Sequence, residues 1–284
     1  MKEKWLVISN CQTAGVMQSL SMICPHVKVD ACDYWGFQAN ADFWRQQVAT
    51  YDHIIVNPEI QQLGIVDFSA LPNVTLLPAI RFRAYHPDLQ NVFHEGKSVK
   101  TPLDDYHSTI IFAAYKLGCT AEQAKAFFNE ETYETLQYFA LWDVERKIFL
   151  DMYAEYGWDL SSELSKWTRG GSFMHSMNHP KAHALYDVAL MVARKVAGDR
   201  VIDSGIVPHD TLVQAPVYPV FPELAERFGA GRGSYLFKGL NYQLLTLEEF
   251  IEGSFAAYAN FDKDQLLGNS PHLASALQTI EAAL

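Results

Sequence analysis

The chain has 284 residues, of which 49% are hydrophobic and 13% aromatic, and its formal net charge is −11. This length predicts one large domain or two smaller ones, and the composition is typical of a well-buried globular protein. The acidic balance excludes the basic footprint of a nucleic-acid-binding protein, and no uninterrupted apolar run is long enough to span a membrane.

The first segment of the chain predicts a strand, a tight turn and a helix. The apolar residues 5–8 end in Ser9-Asn10-Cys11-Gln12, and apolar residues at helical spacing begin after Thr13. In open α/β sheets ligands bind beyond the carboxyl ends of strands, so Cys11 is a candidate catalytic residue. The positive end of the following helix favours the reactive thiolate. The alternative is a structural cysteine that packs as a small hydrophobic residue.

Further apolar runs predict the rest of a parallel sheet. Residues 26–31, 53–56 and 74–77 have the length and composition of buried strands, and residues 41–51 predict a helix between two of them. Helices that alternate with such strands indicate an α/β fold with both faces of the sheet covered. Asn57 follows one strand and Arg81 lies just beyond another, so both are expected at the carboxyl edge.

From about residue 104 the pattern becomes helical. Helices are predicted over residues 106–117, 132–156 and 181–196, and capping boxes mark helix starts at Thr120 and Thr246. Residues 168–180 are polar and contain glycine, which predicts a loop. We therefore expect an α/β core over residues 1–103 and a mainly helical portion over residues 104–284, which packs onto the sheet as one compact body.

A nucleophilic cysteine needs a base, usually a histidine, and a group that orients it. His179 is the first candidate because it precedes a helix and Pro180, and Asn178 could orient its ring or a substrate. His86 is the second candidate because it follows a predicted strand. The alternatives are a solvated loop histidine at position 179 and a turn residue bonded to Asp88 at position 86.

Signals for phosphate or metal binding are weak. Arg232 lies in a glycine-rich loop that either cradles a phosphate or turns the chain, and Arg81 is a second cation near a strand end. The four cysteines have neither CxxC spacing nor a Cys/His zinc pattern, so no metal is expected. A strand is predicted almost at the first residue, so we expect no secretion signal, reduced thiols and a cytoplasmic location.

Three segments together resemble one known family. Asn10-Cys11-Gln12 resembles the Gly-Asn-Cys-Gln opening of the WcbI-like capsular polysaccharide biosynthesis acetyltransferases, and Tyr85-His86-Pro87-Asp88 and Asn178-His179-Pro180 resemble its later motifs. One departure is Ser9, which stands where the family has glycine. The resemblance implies an α/β core with added helices. It also implies coenzyme A binding and transfer of an acetyl group to a sugar hydroxyl of a capsule or surface polysaccharide.

A mechanistic hypothesis built on this resemblance assigns roles to the candidate residues. Cys11 would attack the thioester of acetyl-CoA, and His179 would deprotonate the sugar hydroxyl. Residues that would hold the oxyanion or orient the substrate are Asn10, Gln12, Asn57 and Asn178, together with the backbone N–H groups of residues 11 and 12. Residues that would contact the substrate or coenzyme A are Ser9, Arg81, His86, Asp88 and Arg232.

Other mechanisms and functions stay open at this point. His179 could activate the sugar directly, without an acyl-enzyme. The layout is also similar to SGNH-like esterases, with Cys11 in place of their serine, which would make the protein an acyl esterase or thioesterase. The third hypothesis is a non-catalytic sugar- or nucleotide-binding module.

Overall fold

The computed structural model describes residues 2–284 and divides the chain into two compact units, each discontinuous in sequence. The first unit extends through Arg81 and adds Ile148–Trp167 and Asn178–Leu212. The second comprises Phe82–Lys147, Thr168–Met177 and Val213–Leu284. Because these units are interleaved in sequence, they do not test the predicted domain boundary. The division into residues 1–103 and 104–284 stays a prediction.

The strands, in chain order, are β1 (Glu3–Ser9), β2 (Val27–Asp33), β3 (His53–Val56), β4 (Val74–Leu76), β5 (Leu89–Gln90), β6 (Val92–His94), β7 (Lys97–Ser98), β8 (His107–Ser108), β9 (Met174–Ser176), β10 (His179–Pro180), β11 (Phe237–Lys238), β12 (Leu244–Leu245) and β13 (Leu267–Gly268).

The α-helices, in chain order, are α1 (Thr13–Ile23), α2 (Tyr34–Ala39), α3 (Ala41–Gln47), α4 (Pro58–Gln61), α5 (Thr109–Lys116), α6 (Ala121–Ala126), α7 (Glu130–Thr135), α8 (Leu141–Glu155), α9 (Ser161–Arg169), α10 (Ala182–Ala197), α11 (Pro222–Phe228), α12 (Leu247–Tyr258) and α13 (Leu273–Ala283). Among residues 2–284, none of these helices is both long and apolar enough to cross a membrane.

The first unit is built on a four-stranded parallel sheet in the order β2-β1-β3-β4. Ile8 of β1 is in register with Cys32 of β2 on one side and with Val56 of β3 on the other. The chain leaves β1 toward β2 and later returns to β3 on the opposite side, so the carboxyl ends of β1 and β3 form the switch point where such sheets bind ligands. The predicted α/β class with an N-terminal parallel sheet is confirmed.

Helix α1 lies directly after the cysteine turn and packs closely against α10. Gly15 permits this approach, because a Cβ atom at that position would lie 2.4 Å from Cδ1 of Leu185. The buried side of α10 follows the predicted helical spacing, with Leu185, Val188 and Val192 almost fully enclosed. The predicted helix over residues 181–196 is therefore confirmed to within one residue at each end.

The second unit is mainly helical around an aromatic and aliphatic core. Helix α5 supplies its centre, since Ile110, Ile111 and Phe112 have no exposed surface. Both predicted capping boxes are present, with Thr120 at the start of α6 and Thr246 at the start of α12. The short strands pair antiparallel, in the order β13-β6-β7 and as the pair β5-β8.

Two predictions about local structure are wrong. The single helix over residues 132–156 is interrupted, because Gln137 is left-handed, with φ of 58°, between α7 and α8. Residues five apart on a continuous helix point in different directions. The break instead stacks the rings of Tyr133 and Tyr138 with their centroids 5.8 Å apart, and both side chains are fully buried. The predicted loop over residues 168–180 contains strands β9 and β10.

Candidate functional site

Gln12 ties the cysteine turn to two other segments of the first unit. Its Nε2 donates hydrogen bonds to the carbonyl oxygens of Ile80 (2.8 Å) and Asn178 (3.0 Å), and its Oε1 accepts from the N–H of Ile80 (2.9 Å). The Gln12 side chain is 2% exposed, so these bonds are shielded from water. The side-chain amide is fully engaged with backbone groups, so Gln12 positions these segments and its Nε2 has no hydrogen left for an oxyanion.

The Asn10 side chain controls the immediate surroundings of the thiol. Asn10 Oδ1 accepts a hydrogen bond from the N–H of Gln12 at 3.1 Å and lies 3.8 Å from Cys11 Sγ, which donates to it. An amide oxygen beside sulfur favours the thiol over the thiolate, since an acceptor stabilises the protonated form. Rotation of this amide would present its NH₂ group to the site and release the Gln12 N–H.

Cys11 is exposed, as access to a substrate requires. Partial desolvation by neighbouring protein atoms nevertheless raises the pKa of its thiol from 9.0 to about 11, while its own backbone N–H and the Arg81 charge act in the opposite direction. Desolvation therefore outweighs the effect of the helix start that was expected to favour the thiolate. At neutral pH Cys11 is a thiol that needs a base.

Asn57 follows β3 and is 3% exposed. Its Oδ1 caps α4 by accepting from the N–H of Glu59 at 3.2 Å, while its Nδ2 makes only a long contact of 3.5 Å with Glu59 Oε2. Asn57 Nδ2 at the end of β3 could therefore donate to a ligand while giving up only this long contact. Glu59 also holds Arg81, whose guanidinium lies 2.7 and 2.8 Å from its two carboxylate oxygens.

Two cavities of very different size adjoin these residues. A void of about 10 Å³ lies behind the turn, lined by Ser9, Gln12 and Tyr153 among others, and it has room for at most one water molecule. An open cleft of about 200 Å³ lies at the ends of β3 and β4. Its lining residues are Asn57, Pro58, Glu59, Gln62, Pro78, Ala79, Arg81, Met152, Glu155 and Tyr156. We call it the edge cleft.

The segment that carries His179 is held at the cysteine turn. Asn178 supplies the carbonyl that accepts from Gln12, and His179 follows it as the first residue of β10. Both Asn178 and His179 are partly exposed, and Pro180 behind them is buried. The sequence-predicted residues of the first unit thus lie in the cysteine turn, in the segment bonded to it through Gln12, or in the lining of the adjoining cavities. They are Ser9, Asn10, Cys11, Gln12, Asn57, Arg81, Asn178 and His179.

His86 and Asp88 belong to the second unit and are almost completely buried, with exposed fractions of 1% and 0%. Asp88 accepts hydrogen bonds from the hydroxyls of Tyr138 (3.0 Å) and Tyr218 (2.8 Å) and from the N–H of Ile110 (3.0 Å). Burial raises the pKa of Asp88, and these hydrogen bonds oppose the shift. Such a site favours a structural role, so a substrate contact by either residue stays a prediction.

Arg232 is exposed on the glycine-rich loop of the second unit. Gly229 ends α11 in the left-handed conformation, with φ of 61°. A Cβ atom on Gly233 would lie 2.3 Å from Cα of Pro222, so only glycine fits there. Backbone conformation and close packing therefore account for both glycines, which favours the interpretation of this loop as a chain turn rather than a phosphate-binding loop. Residues 2–284 contain no group of three or more His, Cys, Asp or Glu side chains placed to hold a metal ion.

Sequence reasoning missed most residues of the edge cleft. Met152, Glu155 and Tyr156 fell within the helix predicted over residues 132–156 and were given no role in a site. In the structure they line the cleft, where Glu155 is exposed and the other two are partly exposed. Glu59 had a usable signal, since it follows the Asn57-Pro58 pair at a strand end. The tethering role of Gln12 had none, because its partners are backbone groups 68 and 166 residues away.

Comparison with known proteins adds independent findings. A family model described as "Polysaccharide biosynthesis enzyme WcbI" matches residues 4–198. No curated protein matches the chain. A solved structure described as "Structural insights into WcbI, a novel polysaccharide biosynthesis enzyme" is that of a native protein without a disulfide bond between COA and one of its cysteines.

That structure superimposes with a TM-score of 0.70 at 13% sequence identity, covering 99% of this chain and 96% of the other. At such low identity the likeness shows a shared fold. The family model, by contrast, spans well over half of the chain. The chain therefore belongs to the WcbI family of polysaccharide biosynthesis enzymes.

Proposed function

We propose that the protein transfers an acetyl group from a coenzyme A thioester to a sugar hydroxyl in polysaccharide biosynthesis, with Cys11 as nucleophile and His179 as base. The observation that carries the proposal is the hydrogen bond from Gln12, next to Cys11, to the carbonyl of Asn178, next to His179. The related structure, whose description names COA together with a cysteine, supports coenzyme A as the donor.

The first step forms an acyl-cysteine. Cys11 Sγ attacks the thioester carbonyl while an imidazole nitrogen of His179 takes the thiol proton. The C–S bond to coenzyme A then breaks, and the departing thiolate takes that proton back from the imidazolium. Because the pKa of Cys11 is about 11, very little thiolate exists at neutral pH and the base has to act during the attack.

The second step delivers the acetyl group to the acceptor. His179, neutral again, removes the proton from a sugar hydroxyl as its oxygen attacks the acyl-cysteine carbonyl. The new C–O bond forms, the C–S bond to Cys11 breaks, and the imidazolium returns the proton to sulfur. The same imidazole thus serves both half-reactions, and no proton is gained or lost overall.

Each tetrahedral intermediate needs donors for its oxyanion. Asn57 Nδ2 lies at the neighbouring strand end and has only a long contact to give up. The Gln12 N–H becomes a second donor once Asn10 rotates away, and the rotated Asn10 would offer its own NH₂ group. One such donor is typically worth about 3 kcal/mol in the transition state. These groups fit an oxyanion site at the switch point.

The primary test is intact-protein mass spectrometry after incubation with acetyl-CoA. We expect a gain of one acetyl group in the wild type and none in Cys11→Ala. Cys32→Ala is the matched control, because Cys32 is a partly exposed thiol of the same unit whose pKa is also about 11. An acetyl group that persists in Cys11→Ala would overturn the assignment of the nucleophile.

Kinetics distinguish the remaining mechanisms. Parallel double-reciprocal lines for acetyl-CoA and acceptor support the acyl-enzyme, whereas intersecting lines without a mass adduct would assign His179 to direct activation of the sugar. Rapid release of acetate without any acceptor would instead favour the esterase or thioesterase hypothesis. Absence of both an adduct and coenzyme A binding would refute the transferase function.

A further inference from the structure

The edge cleft is the larger of the two cavities described above and has room for a ligand group. It opens where β3 and β4 end, since Asn57 follows β3 and Pro78 and Ala79 follow β4. The void behind the cysteine turn is about twentyfold smaller, at about 10 Å³ against about 200 Å³. A substrate group beside the turn therefore has the edge cleft available to it.

The far wall of the edge cleft is held firmly in place. Tyr153 donates its hydroxyl hydrogen to the carbonyl of Pro78 at 2.9 Å, and Trp158 donates its indole N–H to the carbonyl of Leu76 at 2.8 Å. These two bonds flank the end of α8, where Glu155 and Tyr156 line the cleft. The position of Glu155 in the lining of the cleft is thus set by the fold.

The charges of the edge cleft are unsuited to an anion. It is lined by two carboxylates, Glu59 and Glu155, and by one cation, Arg81. Both oxygens of Glu59 already engage the Arg81 guanidinium, so Arg81 is largely neutralised and Glu155 leaves an excess negative charge. A phosphate or a carboxylate would meet repulsion here. This argues against Arg81 as a ligand of the coenzyme A phosphates.

The same lining suits a sugar ring. Sugars present hydroxyl groups around their edge and apolar C–H groups on their faces. The carboxylates of Glu59 and Glu155 accept hydrogen bonds from hydroxyl or ammonium groups, and the amides of Asn57 and Gln62 both donate and accept. Tyr156, Met152 and Pro78 add apolar surface against which a ring face can pack.

We propose that the edge cleft is the acceptor subsite and that it selects a neutral or amino sugar over an acidic or phosphorylated one. This inference rests on the proposed function for the statement that the acceptor is a sugar. The excess carboxylate, Glu155, is the specificity-determining residue, because it favours a cationic amino group, tolerates hydroxyls and repels a uronate. The donor then reaches Cys11 from outside this cleft.

Calorimetry with three methyl glycosides of the same ring tests the proposal: glucoside, glucosaminide and glucuronide. We expect the glucosaminide to bind tightest and the glucuronide weakest. Glu155→Gln should lower affinity for the glucosaminide about fivefold, the effect of one exposed charge pair, and leave the glucoside nearly unchanged. Glu155→Lys should reverse the order in favour of the glucuronide. Glu122→Gln, on the exposed surface of the other unit, is the matched control.

Parallel measurements on the same variants keep this inference separate from the proposed function. Coenzyme A binding and acyl-cysteine formation should be unchanged in Glu155→Gln and Glu155→Lys, because Glu155 contacts the acceptor only. An unchanged order of the three glycosides in Glu155→Lys, or a change in coenzyme A affinity instead, would overturn the inference. Absence of sugar binding in a protein that still forms the acyl-cysteine would overturn the acceptor subsite while leaving the transferase intact.

Discussion

Substitution of Gln12 by alanine tests whether its side chain holds the site together. The change removes three hydrogen bonds and leaves the N–H and carbonyl of Ile80 and the carbonyl of Asn178 without this partner. Ile80 is 1% exposed, so water cannot readily replace the amide there. Since a buried polar group without a partner costs about 1–3 kcal/mol, we expect a loss of roughly 3 kcal/mol in the free energy of unfolding.

Urea denaturation, monitored by tryptophan fluorescence, measures this loss. The matched control is Gln46→Ala on the exposed surface of α3, which should change the free energy of unfolding by less than about 0.5 kcal/mol. The acyl-transfer rate at saturating substrate should fall further than stability alone explains, because the tether to Asn178 also positions His179. If Gln12→Ala unfolded at the same urea concentration as the control and transferred acetyl groups at the wild-type rate, the tether would have no role.

Three further predictions concern groups that are buried or have a shifted pKa. Alkylation of Cys11 by iodoacetamide, followed by peptide mass spectrometry, should accelerate about tenfold per pH unit from pH 7 to 10, and a plateau near pH 7 would contradict the raised pKa of about 11. Burial lowers the pKa of His107 from 6.5 to about 4, so the fold favours its neutral form. As the pH falls from 6.5 to 4, the wild type should lose about 3 kcal/mol in the free energy of unfolding, measured by urea denaturation at each pH. His107→Gln should not show this loss. Asp88→Ala leaves three buried donors without this acceptor and should lower the free energy of unfolding by roughly 3–6 kcal/mol. Asp88→Asn keeps one acceptor oxygen and should lower it by less in the same assay.

The cysteine turn could be predicted from sequence because its signals are local. An apolar run, a polar turn and helical spacing after Thr13 are read within about twenty residues, and the observed β1 and α1 agree with them. The capping boxes at Thr120 and Thr246 were predictable for the same reason, since each depends on side chains only three residues apart.

The remaining parts of the site depend on contacts between distant segments. The break at Gln137 lies within a helical pattern and is stabilised by the stacked rings of Tyr133 and Tyr138, which sequence spacing does not reveal. The desolvation that raises the pKa of Cys11 comes from surrounding protein atoms and outweighs the local helix start. Glu155 joins the edge cleft through a helix that begins far from the sheet in sequence.

The raised pKa of Cys11 and the tether made by Gln12 are complementary. A rise from 9.0 to about 11 lowers the thiolate population about a hundredfold. The more basic thiolate regains roughly tenfold in nucleophilicity, so the net loss is about tenfold. A positioned general base contributes about 10²–10⁴-fold, which exceeds that loss only if the imidazole lies within hydrogen-bonding reach of the thiol. The bond from Gln12 to the Asn178 carbonyl fixes the segment that carries His179. In the proposed mechanism, positioning of that base rather than acidity of the thiol would make Cys11 a competent nucleophile.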